Sequence, residues 1–389
     1  MNAGDGRSDG SAAAPDGLMG GGPTAAPMVS PRFRIPTLDG LRALSVLAVF
    51  AAHASLPLPV GAGTGVTVFF FLSGFLITTL LRREFEHHGR ISLRNFYLRR
   101  ALRILPPMYV VVIAAFILTA SGAILGSLTS VGMAAALLNF TNFVYVFGDP
   151  NSITPGIGLL WSLAVEEHFY LLFPLLYMGM FSWLPRRSHG PVLFVLCLVT
   201  VAWRCVLVFA LARNDALIYF GSDTRADSLL YGCLLAVAAN PILDRVKMRA
   251  ATAVIAVVVG AALIVGAEHL PGHWDTIVGP TAQGIGLLLA VSALVARPRM
   301  VLARLLEWRP LVWLGVLSYA FYLVHRLVQL VVAGHTTLGT VPAAAVSLGL
   351  ALVLSQLIHT VIEIPSTRLR HRWPKSRPAP AGAPVAHSA

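Results

Sequence analysis

Long apolar stretches alternate with short polar ones along this chain, and the length of the apolar stretches decides its class. A helix rising about 1.5 Å per residue needs roughly 20 apolar residues to cross a hydrocarbon core of about 30 Å. That length predicts ten helices, over 41–58, 65–82, 101–121, 159–183, 191–212, 224–239, 250–268, 276–296, 311–333 and 341–362. A further stretch, 128–147, is interrupted by Asn139, Thr141 and Asn142 and is ambiguous by pattern alone. No internal repeat is visible, which disfavours transporter folds built from duplicated halves.

Composition agrees with lipid as the main solvent: 56% of the 389 residues are hydrophobic, 12% are charged, and the mean hydropathy is +0.75. The charge is biased, with 29 Lys+Arg against 17 Asp+Glu. In a chain this apolar, a basic excess reads as a topology signal rather than as a nucleic-acid footprint. With the N-terminus inside and 128–147 not crossing, Arg82 to Arg103, Arg186/Arg187, Arg245 to Arg249, Arg297 to Arg309 and Arg368 to Arg377 all fall on the cytoplasmic side. Only Arg213 and Arg225 stay outside. A spanning 128–147 would invert everything after it, against the positive-inside rule. The expected fold is therefore all-α, a polytopic transmembrane bundle of about ten helices with both termini cytoplasmic, in the plasma membrane.

Residues 1–34 and 366–389 read as tails flanking a membrane domain over 35–365; the first is rich in Gly, Ala, Pro and Ser and lacks the order of a cleavable signal. Cys197, Cys205 and Cys233 lie in apolar stretches without metal-ligand spacing and read as packing residues. No metal and no tightly bound cofactor is expected.

An ionisable side chain at membrane depth is costly and marks function by default. Arg42 and His53 are eleven residues apart, three turns plus about 20°, so they share one helix face with roughly 16 Å between them. Glu166, in Trp161-Ser162-Leu163-Ala164-Val165-Glu166, reckons to nearly the depth of His53 from the opposite side. An imidazole and a carboxylate at one level would be poised for proton transfer. Glu166 and Glu167 point about 100° apart and cannot share a site. His325 falls in the outer half of its span and suits either a bundle hydrogen bond or catalysis. Arg100 and Arg103, one turn apart at a helix entrance, suit phosphate. Asp223 and Asp227 take i, i+4 spacing at an outer mouth, with Arg225 aimed elsewhere, which allows either a polar helix entrance or acceptor binding. Arg204 lies inside a span and needs a partner the sequence does not name.

Taken in order, these segments resemble the membrane-bound acyltransferase family 3 from about Leu38 to Glu363. The resemblance rests on Leu38-Asp39-Gly40-Leu41-Arg42 with His53, Phe69-Phe70-Phe71-Leu72-Ser73-Gly74, Arg99-Arg100 with Arg103 and Pro106, Trp161-Ser162-Leu163 with Glu166 and Tyr170, Asp223 to Asp227, and Ser318-Tyr319 with His325. It implies transfer of an acyl group from acyl-CoA, as donor substrate, to a hydroxyl of a sugar, envelope glycan or glycosylated natural product. By that likeness, Arg42, His53 and Glu166 would be catalytic. Arg99, Arg100 and Arg103 would hold CoA phosphates, and Asp223, Arg225, Asp227, Trp161, Tyr319 and His325 would meet the acceptor. His168 departs from relatives that often carry Gln there. The partners implied are acyl-CoA, a glycan and the bilayer, with no nucleic acid.

His53 could deprotonate the acceptor for direct attack, or accept the acyl group first. Ser73 and Ser162 are weaker nucleophile candidates, and Gly-flanked Ser73 also suits close helix packing. The acceptor pocket is expected near 148–158 and 213–227. The rival class is a proton-coupled transporter or flippase using the same intramembrane charges.

Overall fold

The computed structural model describes residues 34–213 and 215–369. The tail assignments at 1–33 and 370–389 lie outside the described residues, whereas 364–369, partly given to the second tail, are helical. In chain order the helices are α1 (Pro36–His53), α2 (Ala62–His88), α3 (Leu93–Ala120), α4 (Ser130–Leu137), α5 (Thr141–Phe147), α6 (Leu160–Trp183), α7 (Arg186–Cys205), α8 (Asp215–Phe220) and α9 (Ala226–Ala238). There follow α10 (Ala250–Ala267), α11 (Trp274–Ile277), α12 (Gly279–Ala296), α13 (Val301–Leu306), α14 (Arg309–His335), α15 (Thr340–Ile358) and α16 (Ile364–Leu369). Five-residue π-helical segments extend α7 to Ala210 and join α15 to α16. Among the described residues there is no strand.

Each of the ten apolar stretches is helical, and seven of the resulting helices are long and apolar enough to cross a membrane: those starting at Ala62, Leu93, Arg186, Ala250, Gly279, Arg309 and Thr340. The other three depart for legible reasons. Helix α9 has 13 residues, about 20 Å. Helices α1 and α6 carry Asp39 and Arg42, and Glu166, Glu167 and His168, which lower their hydropathy. The ambiguous 128–147 stretch is two short helices, α4 and α5, of 8 and 7 residues. Asn139 breaks it in the left-handed region at φ 59, a conformation Asn tolerates better than most residues. Neither piece is long enough to cross on its own.

Two close helix contacts set the frame. Helix α1 packs along α14, and a Cβ at Gly315 would fall 1.9 Å from the Asp39 carbonyl oxygen, so the backbones touch there only because residue 315 has no side chain. Helices α2 and α9 cross in the same manner through Gly74 and Gly232, each lying against the other helix's backbone. The close-packing role foreseen beside Ser73 thus belongs to Gly74. Arg42 reaches Ser318 and His53 reaches His325, so α1 and α14 run in the same direction.

Cys197, Cys205 and Cys233 are all free thiols. Arg204 finds its partner in Asp227: both side chains are wholly buried, the guanidinium meets the two carboxylate oxygens at 2.9 and 2.7 Å, and Thr281 donates to the same carboxylate at 2.7 Å. Arg204 also donates to the Thr224 carbonyl at 2.6 Å. The two terminal nitrogens and both carboxylate oxygens are thus bonded, which offsets much of the cost of burying the pair, while Arg204 Nε is buried without a hydrogen-bond partner.

Candidate active site

The His53 end of α1 carries a chain of two imidazoles. His325 Nδ1 lies 2.8 Å from the Tyr322 carbonyl and 3.2 Å from that of Phe321. Carbonyls only accept, so this nitrogen carries the proton. In the neutral ring, His325 Nε2 is then an acceptor, and it lies 3.0 Å from His53 Nδ1. His53 must donate there, which leaves its Nε2 as the unprotonated nitrogen. The fully buried His325 therefore fixes the tautomer of the half-buried His53. Arg326 donates to the His53 carbonyl at 3.1 Å, and Gln329 donates to the Phe50 carbonyl at 3.0 Å, tying the last turn of α1 to α14.

His53 lines a cavity of about 440 Å³, within the range of small-molecule sites. Its walls are aromatic: Tyr145 stacks on Phe220 at 4.4 Å between ring centres, and Trp161 meets Phe220 and Tyr219 at 5.0 and 5.1 Å. Tyr322 and Arg326 supply polar groups, and no Asp or Glu lines it. The loop 153–159 and the α8 pair Tyr219–Phe220 close it, and all of these but Leu159 fall in the stretches 148–158 and 213–227. Flat apolar faces with a few polar handles suit a sugar ring.

A second polar cluster lies further along α1. Arg42 donates from Nε to Ser318 Oγ at 3.1 Å, with its guanidinium over the Phe69 ring. Glu166 accepts from Ser73 Oγ at 3.0 Å and from the Tyr170 hydroxyl at 2.7 Å. Arg100 sits 4.7 Å over the Tyr170 ring. Among the described residues, no three His, Cys, Asp or Glu side chains converge as a metal would require.

The sequence matches the acyltransferase-3 family, described as "Acyltransferase domain", over residues 35–360. The chain belongs to that family. Among curated relatives, the O-acetyltransferase OatA of Staphylococcus aureus is 29% identical over 354 residues, 87% of this chain and 58% of the relative. The peptidoglycan O-acetyltransferase OatA of Listeria monocytogenes is 28% identical over 305 residues, 75% of this chain and 49% of the relative. A putative peptidoglycan O-acetyltransferase, YrhL of Bacillus subtilis, is 30% identical over 315 residues, 75% and 48% of the two chains. The chain thus spans about half the length of the curated relatives it matches. No solved structure matches. The family, together with the seven apolar helices, makes this a multi-pass membrane protein.

Within this acyltransferase-3 chain, several expected site residues stand elsewhere than the sequence suggested. His53 and Glu166 are not partners: His53 bonds to His325, and Glu166 to Ser73 and Tyr170. Counting depth along two helices ignored where each begins and how they tilt. Asp227 is not among the residues lining the cavity at His53, and both its oxygens are bonded to Arg204 and Thr281. Helix α9 starts only at Ala226, so Asp223 and Asp227 do not share a helix face, and Asp223 accepts instead from the Trp203 indole at 2.7 Å. Tyr319 spends its hydroxyl on the Ile104 carbonyl of α3 at 2.7 Å. Arg99 is paired with Glu84 at 2.8 Å, whereas Arg103 is exposed and, among the described residues, forms no side-chain hydrogen bond or ion pair.

Trp161 lines the cavity, whereas His325 is bonded to His53 and is not among the cavity's lining residues. Ser162 is bonded to the Tyr322 hydroxyl at 2.7 Å. His168 sits against Ser222 at 2.8 Å with its ring stacked on Phe143. Tyr145, Tyr219, Tyr322 and Arg326 were not proposed as site residues. Arg326 carried a usable signal, a charge inside an apolar span; the tyrosines carried none.

Proposed function

We propose that the protein is an O-acyltransferase that moves an acyl group, acetyl in the simplest case, from acyl-CoA to a hydroxyl of a cell-envelope glycan. The observation that carries this reading is the Tyr322 carbonyl–His325–His53 chain, which presents an unprotonated imidazole nitrogen at an aromatic cavity of about 440 Å³. The glycan acceptor is supported by the names of the peptidoglycan O-acetyltransferases to which the chain is similar.

In this reaction His53 Nε2 takes the acceptor hydroxyl proton as the oxygen attacks the thioester carbonyl. The tetrahedral intermediate collapses with cleavage of the C–S bond, and the thiolate leaves with a proton returned from the imidazolium. Ester and CoA thiol are the products, and His53 ends in its starting state. Arg100 and Arg103 hold the CoA phosphates at the basic end, and the pantetheine arm follows the Arg42 face of α1. Glu166, held by Ser73 and Tyr170, sets the charge balance around Arg42.

The proposed topology has ten crossings and both termini in the cytoplasm, which puts the basic connections inside. The parallel course of α1 and α14 supports it, since first and ninth crossings must run the same way. The cavity then opens outside.

The test is transfer of labelled acetyl from acetyl-CoA to glycan fragments by purified protein in detergent, wild type beside His53→Ala. Loss of product in the variant with acetyl-CoA binding retained supports the reading. Turnover that survives without His53 overturns it.

A further inference from the structure

A second, smaller cavity of about 180 Å³ adjoins the acceptor cavity, with Tyr219 forming a wall of both. Its deep lining includes Arg225, which is 4% exposed. That guanidinium makes one hydrogen bond, from Nη2 to Thr67 Oγ1 at 2.8 Å, and lies between the Phe70 and Tyr219 rings. Its Nε is buried without a hydrogen-bond partner, and among the described residues it forms no ion pair. A buried guanidinium so poorly compensated calls for an anion. The mouth of the same cavity has the opposite sign: Glu268 and Asp275 are exposed there, with Gln283 and Thr64 bonded to Glu268. An acidic rim repels a bare polyanion but attracts an ammonium.

We infer that this cavity binds the zwitterionic end of a short peptide, with the carboxylate drawn in to Arg225 and the amino group held at the Glu268/Asp275 rim. In the acceptor this peptide is a substituent of the glycan whose sugar occupies the neighbouring cavity, joined through a linkage that leaves its terminal carboxylate and one amine free, so Tyr219 separates a sugar subsite from a peptide subsite. The inference rests on the glycan-acyltransferase reading for its purpose but not for its measurement, since peptide binding requires no turnover.

The experiment is calorimetric titration of the full chain in detergent with the free dipeptide Ala-Ala, its C-terminal amide and its N-acetyl derivative. The expected result is millimolar or tighter binding of the free dipeptide, at least tenfold loss on amidation, and a smaller, about threefold, loss on N-acetylation. Arg225→Gln abolishes binding, while Glu268→Gln and Asp275→Asn each weaken it for the free dipeptide and not for the N-acetyl form. His53→Ala binds as wild type does. The two rim variants lie on the exposed surface, so they decide the matter if Arg225→Gln does not fold. No binding by wild type, equal binding of the amide, or indifference to all three substitutions overturns the inference. In the transfer assay, the rate ratio of peptide-bearing to peptide-free glycan falls about tenfold in Arg225→Gln if the subsite serves the acceptor. Peptide binding without any acyl transfer would overturn the proposed function and leave the site standing.

Discussion

His53 Nδ1 and His325 Nε2 lie 3.0 Å apart across the α1/α14 contact, although 272 positions separate them in the chain. On the proposed mechanism His325 is a positioning residue: it is not among the residues lining the cavity at His53, but its bond decides which His53 nitrogen is free. His325→Ala should lower kcat by about 10²-fold, the scale of a misdirected general base. KM for the acceptor should change little, because the cavity walls remain. Steady-state kinetics with a melting curve for each variant checks this, and a KM effect with kcat intact would assign His325 to packing alone.

Arg204 and Asp227 should act on stability. Removing one partner strands a wholly buried charge, so Arg204→Ala or Asp227→Ala is expected to cost about 3–5 kcal/mol. The double replacement Arg204→Met with Asp227→Leu should recover much of that loss. Thermal unfolding in detergent, followed for wild type, the two single variants and the double, measures the loss and its recovery.

The basic end of the bundle should divide by residue. Arg103 is exposed and unpaired, and Arg103→Gln should raise KM for acyl-CoA about tenfold, the worth of one charge-assisted hydrogen bond. Arg99 already holds Glu84, whose other oxygen accepts from the Ser92 amide at the start of α3. Arg99→Gln should therefore show first as a lowered melting temperature. Acetyl-CoA saturation curves and melts on both variants separate the two roles.

Asp244 gives a pH dependence outside the membrane. The Arg82 guanidinium hydrogen-bonded to it holds its carboxyl below the usual carboxylate range. A depressed folded value means the stabilisation is complete above the unfolded value, near pH 4, and is lost as pH falls through the folded one. Asp244 is partly exposed, so the effect is limited to about 1 kcal/mol or less. Asp244→Asn should melt below wild type at pH 7, with the gap closing below about pH 4; a gap constant from pH 7 to 3 would show that the charge contributes nothing.

The helices were legible because lipid imposes a length rule that sequence obeys directly, and the break at Asn139 was legible because polar residues cannot line an apolar span unaided. Arg42 and His53 were legible by the same logic, as charged or titratable groups repeating on one face. Partnerships were not. Helical counting gives depth and angle on one helix, whereas Arg204 meets Asp227 and His53 meets His325 only through tilts set by distant contacts such as Gly315 on Asp39. Of the cavity at His53, the stretches 148–158 and 213–227 were legible as a region but its individual walls were not, since Tyr145, Tyr219 and Phe220 come from short connecting helices whose aromatics look in sequence like ordinary interface residues.

The parallel alliance of the first and fourteenth helices also dictates an order of assembly. At roughly 5–20 residues per second, the segment between His53 and His325 takes on the order of tens of seconds to synthesise. Until then the base has no proton acceptor behind it and the α1 surface that receives Gly315 has no occupant. The His53 imidazole is thus among the first parts of the bundle to enter the bilayer and among the last to acquire the tautomer the proposed mechanism requires, so an incompletely synthesised chain should be inert.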